Sequence, residues 1–302
     1  MIAFKHEVFF EVARQLSFTK ASEVLCISQP AISNHIKQLE EEFKTNLFER
    51  KGNSILLSAS GKILVEAITK AMVIEKQLTF DMSTMHDAFE AKGELKLGAS
   101  TTVALYIVPP VLSSFLKKYR QVKVGLVNRN SENVLKALLD HEIDLGIIEG
   151  KKKNSLIQSQ YFLSDEVVPV CSSGSPLAKN PRYALSEIKK VEVALRERGS
   201  GTLTALLLAL KKQGIKQSDL TVNIRLGGTE ALKNFILADT CVGFLPMRAV
   251  SKELRAGNLV QLHFDGLSIT RHFYFIQRMG ENMNGLDNAF VKFAKSHYKI
   301  SL

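Results

Sequence analysis

The segment from Phe18 to Ile55 constrains this chain more than any other. Two short helical patterns meet there at a polar break, Cys26–Ser28. Ser28 can cap the second helix, because its hydroxyl accepts a hydrogen bond from a free amide of the first turn. Pro30 falls in that first turn, where a missing N–H costs nothing. Ile32, Ile36, Leu39 and Phe43 recur at spacings of four, three and four, which marks one buried face. The opposite face carries Gln29, Ser33, Asn34, Lys37 and Gln38. These side chains can hydrogen-bond base edges, with a lysine for phosphate. The spacing predicts a helix from about Gln29 to Phe43 that closes a helix-turn-helix.

The flanks agree. Phe4, Val8, Phe9, Val12 and Leu16 make an apolar stripe on a helix over residues 2–14. Ser17 is placed to cap the next helix, which ends near Leu25. After Leu47-Phe48, the run Arg50-Lys51-Gly52-Asn53-Ser54 is a basic turn before Ile55-Leu56-Leu57. Gly-Asn suits a tight turn between two strands, so this is a wing. Arg50 and Lys51 are the expected phosphate or minor-groove contacts.

Ser17-Phe18-Thr19-Lys20-Ala21, Ser28-Gln29-Pro30-Ala31-Ile32-Ser33, Leu39-Glu40 and Leu47-Phe48-Glu49-Arg50 resemble the start of LysR-type transcriptional regulators. The resemblance is dense over residues 1–65 and looser beyond. Ser22, Phe43-Lys44 and Ser58 depart from the usual Ala, Leu-Gly and Thr. No DNA-facing position is among them. The resemblance implies DNA-binding residues at Thr19, Gln29, Pro30, Ser33, Asn34, Lys37, Arg50 and Lys51. It implies double-stranded promoter DNA as partner, a homodimer or homotetramer, and leaves RNA polymerase open as a further partner.

From Ser58 to about Phe89 a single long helix is expected, roughly 45 Å in length. Leu64, Ile68, Ala71, Leu78, Met82, Met85 and Phe89 alternate at four and three, with Glu75 at the missed position. A seven-residue apolar repeat is a coiled-coil seam, so a second copy of the chain is expected on it. Domain boundaries follow: 1–57 for the winged helix-turn-helix, 58–90 for the linker helix and 91–302 for the remainder. Ala91-Lys92-Gly93 reads as a hinge between the last two.

Beyond it strands and helices alternate. Strands are expected at Leu95–Ala99, Val122–Val127, Ile143–Ile148, Val167–Cys171, Glu192–Arg196, Val222–Leu226, Val242–Leu245, Leu259–Leu262 and Phe273–Ile276. Helices are expected at Pro110–Tyr119, Ser131–Asp140, Ser186–Lys190, Leu203–Lys212, Glu230–Ala238 and Leu286–Tyr298. This order predicts a parallel, doubly wound α/β sheet. The resemblance implies a two-lobed, periplasmic-binding-protein-like effector domain. Its crossings fall near Leu163 and Gly266, giving one lobe of 93–162 with 267–302 and another of 163–266.

Ligands in such sheets bind beyond the strand carboxyl ends, at helix N-termini. Ser100-Thr101-Thr102, Ser200-Gly201-Thr202 with Gly199, and Thr229-Glu230 after Gly227-Gly228 occupy those places. Asn130 and Ser131 are lower-ranked candidates, and Arg196 and Arg198 are nearby sources of charge. Any one cluster is as well read as a plain helix cap; three at equivalent places point to a small anion. Gly98–Thr102 with Tyr106 and Pro109 resembles the sulfur-oxyanion-responsive branch of the family.

The net charge of +10 does not come from the helix-turn-helix. Residues 1–92 hold 11 Lys and Arg against 12 Asp and Glu, so the excess of +11 lies in residues 93–302. It fits an anionic ligand, a second DNA-facing surface, or a solvated face kept soluble by charge. Cys26, Cys171 and Cys241 are widely spaced, which suggests three small buried hydrophobes in a reducing cytosol. No run of about 18 apolar residues could span a membrane. The charged N-terminus has no leader pattern, so the expected location is cytoplasmic. No nucleophile elbow, phosphate loop, metal-ligand pair or dinucleotide fingerprint is present, so neither an enzyme nor a cofactor is expected, beyond a small co-inducer. The competing function is a cytoplasmic solute-binding protein without a transcriptional role.

Overall fold

The computed structural model describes residues 2–52, 54–84, 91–151, 154–280 and 285–300. The chain forms two compact units, Met1–Asp87 and Ala88–Leu302.

The first unit opens with α1 (Phe4–Gln15), α2 (Phe18–Leu25) and α3 (Gln29–Phe43). The Ser17 hydroxyl accepts from the Lys20 amide, and the Ser28 hydroxyl from the Ala31 amide. Leu16, Cys26 and Lys44 each end a helix in the left-handed region. Val8, Phe9, Val12, Ala21, Ile32, Ile36 and Leu39 make the core. Phe43 does not join it and is 47% exposed, so the apolar face of α3 is one turn shorter than its spacing predicts. Lys44 has φ of 52°, a conformation that costs a non-glycine residue roughly 1–2 kcal/mol. Lys44→Gly should therefore stabilise this end by about 1 kcal/mol and slow amide exchange along α3 about 5-fold. Faster exchange would show that the lysine side chain contributes more than its backbone costs.

β1 (Phe48–Lys51) and β2 (Ser54–Leu57) form the antiparallel wing, and Gly52 takes φ of 61° at its tip. Asn53 of the expected Gly-Asn turn lies outside the described residues. Phe48 packs on Phe9 and Phe18, which fixes the wing to the helices. Ser58 starts α4 (Ala59–Thr84), accepting from the Gly61 amide and donating to the Asn46 carbonyl.

The α4 seam is divided. Ile68 is buried in the helix-turn-helix core, and Leu64, Val65 and Met72 pack against it. The Glu75 carboxylate accepts from the Ile2 amide. Ile63, Ile74, Leu78 and Met82 remain exposed, Ile74 at 65%. The first half of the predicted seam thus serves its own chain. Met85 and Phe89 lie outside the described residues.

The second unit runs β3 (Lys92–Ser100), a π-helical turn over Val103–Ile107, α5 (Val108–Lys118), β4 (Gln121–Arg129), α6 (Ser131–Leu139), β5 (Leu145–Glu149) and β6 (Ile157–Ser172). After β7 (Arg182–Tyr183) come β8 (Glu192–Arg196), α7 (Gly201–Lys212), β9 (Thr221–Leu226), α8 (Thr229–Ala238), β10 (Val242–Pro246) and α9 (Met247–Arg255). β11 (Leu259–Gln261), β12 (His263–Phe264), β13 (Ile269–Arg278) and α10 (Gly285–His297) complete it. The main sheet is ordered β4-β3-β5-β13-β6-β10-β8-β9.

The sheet is mixed, which corrects the all-parallel expectation. β3 pairs parallel with β4 and β5, and β8 with β9 and β10. Between these halves β13 and β6 run antiparallel to each other, to β5 and to β10. Two long crossing strands, not helices, join the halves. Lys92 and Gly93 are already paired with Gln121 and Val122, so the predicted hinge is the first step of a strand. Cys171 and Cys241 are buried in separate cores, with the Cys241 thiol pushed up to about 12 by burial and the nearby Asp239. Cys26 is exposed, contrary to the expectation of three buried thiols.

Candidate functional site

The outer face of α3 is built by its inner one. Ile32, Ile36 and Leu39 turn inward, and Gln29, Pro30, Ser33, Asn34 and Lys37 are left exposed, with Thr19 exposed on α2. Lys37 pairs with Glu41 at 3.5 Å, and both side chains are solvated. The backbone of Arg50 and Lys51 closes β1 at the wing tip. These positions present amides, hydroxyls and a cation on a rigid helix, the chemistry that reads a DNA groove.

In the second unit the sheet gathers hydroxyls at its strand ends. Ser100 ends β3 and Thr102 precedes the π-helical turn; they are 1% and 0% exposed. Neither hydroxyl has a hydrogen-bond partner among the described residues. Buried polar groups are nearly always satisfied, so these two hydroxyls, two residues apart, are open to a bound group or an ordered water. Thr101 between them is half-buried. Asn130 caps α6, accepting from the Asn133 amide, and the Ser131 hydroxyl accepts from the Glu149 amide.

The α7 end meets this group. Ser200 caps α7 through the Leu203 amide. A Cβ at Gly199 would crowd Asn130 and Glu132, and one at Gly201 would overlap the Glu149 side chain. Thr202 donates to Glu149 and accepts from Arg271 at 2.8 Å. The fold therefore brings Asn130 and Ser131 together with the loop carrying Ser200, Gly201 and Thr202. Thr229 and Glu230 have side-chain partners of their own. Thr229 accepts from buried Arg196 at 2.8 Å. Glu230 accepts from the Tyr106 hydroxyl and pairs with Lys233. Burial opposes the Lys233 charge, yet Glu253 and Glu230 hold its pKa above the ordinary lysine value.

Three residues that sequence reasoning missed join these pieces. The Arg271 guanidinium meets Glu149 and Asp165, each at 2.7 Å, and Arg248 reaches the other Asp165 oxygen at 3.2 Å. Arg271 also lies over the Phe273 ring. Arg271, Glu149 and Asp165 are all buried. The available signal is their occurrence inside apolar strand runs, since such residues are rarely buried unless paired. Among the described residues no cluster suits a metal ion, and no helix is long and apolar enough to cross a membrane.

Comparison with known proteins agrees with both halves. Residues 5–62 match the bacterial regulatory helix-turn-helix protein, lysR family, and residues 90–299 match the LysR substrate binding domain. The HTH-type transcriptional regulator CysL of Bacillus subtilis is 28% identical over 98% of this chain and 97% of its own. The uncharacterized HTH-type transcriptional regulator YeiE of Escherichia coli K12 is 30% identical over 95% of this chain and 94% of its own. A full-length OxyR variant from Pseudomonas aeruginosa shares the fold, with a TM-score of 0.71 at 16% identity over 98% of this chain and 94% of that one. Full-length CbnR solved with its target DNA superposes with a TM-score of 0.61 at 18% identity, covering 98% and 99%. This chain belongs to the LysR family: it is a DNA-binding transcriptional regulator with an N-terminal helix-turn-helix and a C-terminal effector-binding domain, and not an enzyme.

Proposed function

We propose that the effector is a small oxyanion of the sulfite, sulfate or thiosulfate class, held where Ser100, Thr101, Thr102, Asn130 and Ser131 face Ser200, Gly201 and Thr202. The orphan hydroxyls of Ser100 and Thr102 carry this reading. The capped N-termini of α6 and α7 add oriented amides, which favour a negative charge without a buried lysine. Thr229 and Glu230 act at the mouth, through Arg196 and Tyr106. The lobes are 93–162 with 267–302 and 163–266; in support, β6 leaves β13 for β10 at Val167. Thr19, Gln29, Pro30, Ser33, Asn34 and Lys37 read the promoter, and Arg50 and Lys51 hold its backbone. Residues 1–57 are the reading head and 58–90 the linker, on which Ile74, Leu78 and Met82 pair two copies into a dimer or a pair of dimers. The regulator acts in the cytoplasm with RNA polymerase as its further partner. The effector shifts the protomer arrangement by binding one state more tightly than the other.

Titration calorimetry of the full chain with sulfite, sulfate and thiosulfate tests the pocket. Ser100→Ala with Thr102→Val should weaken the bound oxyanion by at least about 100-fold, because two hydrogen bonds to a charged ligand are lost. Folding stability should be unchanged or higher, since both hydroxyls are buried without a partner among the described residues. Unchanged affinity in this variant would remove these hydroxyls from the site.

A further inference from the structure

We infer that the groove between α7 and the segment 266–272 is a second ligand site, for a small organic carboxylate with an apolar body. The groove measures about 450 Å3, within the roughly 300–1,000 Å3 of small-molecule sites. Its first wall is the outer face of α7, where Ala205, Leu208 and Lys212 follow at helical spacing. Leu267, Thr270 and His272 line the other wall. Leu208 is 56% exposed, an apolar side chain beside a charged one on the same face. That pairing suits a ligand with an apolar body and one charged end.

The sign of that charge follows from the lining. Arg271 and Glu149 lie at the inner end of the groove and neutralise each other at 2.7 Å. Among the described residues Glu149 is the only carboxylate in the lining, so Lys212 leaves the groove with a net positive field. A carboxylate would sit at Lys212, with the body over Leu208 and Leu267 and the Thr270 hydroxyl beside it as a hydrogen-bond donor.

The groove meets the hydroxyl pocket at Gly201, Glu149 and Arg271 and runs away from it along α7 to Lys212 and Gln213. α7 turns Thr202 toward Glu149 and Arg271, and turns Ala205 and Leu208 into the groove. The Arg271–Glu149 pair is the partition between them. The His272 carbonyl accepts from the Gly150 amide, tying the groove to the end of β5 as well as to β13. A groove ligand therefore touches both the helix and the strands that frame the pocket, and any change it makes in the oxyanion's affinity is matched by an equal change in its own. That coupling rests on the proposed oxyanion site; binding in the groove does not.

Calorimetry on the full chain tests this with benzoate as probe and benzamide as its uncharged counterpart. Benzoate should bind the unaltered protein, with benzamide about 5-fold weaker. Lys212→Gln should weaken benzoate about 5-fold and Leu208→Gln about 10-fold; both positions are exposed, so folding is kept. Ser100→Ala with Thr102→Val should leave benzoate binding intact. Absence of benzoate binding, equal binding of benzamide, or loss confined to the Ser100/Thr102 variant would each overturn the assignment. Benzoate binding in a protein that binds none of the three oxyanions would sink the oxyanion reading and leave the groove standing.

Discussion

Arg271→Ala is expected to cost the effector domain about 3–5 kcal/mol of stability, because it strands two buried carboxylates. Glu149 and Asp165 both face Arg271 at 2.7 Å, and Thr202 loses its donor in the same change. Arg248 keeps one Asp165 oxygen paired, so the uncompensated charge falls mainly on Glu149. Adding Glu149→Gln and Asp165→Asn should recover a large part of the loss, since neutral amides cost less to bury than unpaired ions. Urea unfolding followed by tyrosine fluorescence is a clean readout. All six tyrosines lie beyond residue 105, so the signal reports only the second unit. A loss below about 1 kcal/mol would show that the network is effectively solvated.

Gln29→Ala combined with Ser33→Ala and Asn34→Ala should abolish sequence preference while leaving general DNA affinity nearly intact. Each base-edge contact contributes about 1–3 kcal/mol of discrimination. None of the three carries a charge, so the salt-dependent phosphate attraction is untouched. Lys37→Ala should do the opposite, weakening all sequences similarly and lowering the salt slope by about one. The exposed outer face of α3 makes both variants safe for folding, because Ile32, Ile36 and Leu39 carry the packing. Anisotropy titrations with a specific and a scrambled duplex at several salt concentrations separate the two effects. Equal losses on both duplexes would mean that α3 contacts backbone rather than bases.

What can be read in advance is local. Ser17 and Ser28 announce α2 and α3 because a cap depends on residues three apart, and the structure has both bonds. Burial of Ile32, Ile36 and Leu39 follows from periodicity alone, but Phe43 escapes it because the helix outlasts the surface it packs on. The α4 repeat identifies a helix and is silent on which neighbour takes Leu64 and Ile68. The polar first half of β6, with Gln158, Ser159, Gln160 and Ser164, hides a crossing strand whose pairing is supplied by β13. α9 escapes a reading by pattern because its short amphipathic run follows Pro246 directly at the end of a strand. The hydroxyl clusters are visible as helix starts. Their joining is not, because Arg271 meets Asp165 across 106 positions and Tyr106 meets Glu230 across 124.

An oxyanion in the proposed hydroxyl pocket should change how the helix-turn-helix sits on DNA. Nuclease footprinting upstream of the protein's own gene, with and without sulfite, sulfate and thiosulfate, addresses it directly. A two-part protected site is expected, its extent or spacing shifting with one of these anions and not shifting when Ser100→Ala and Thr102→Val are present. An identical footprint and affinity at every anion concentration, in a protein that binds the anion by calorimetry, would contradict it.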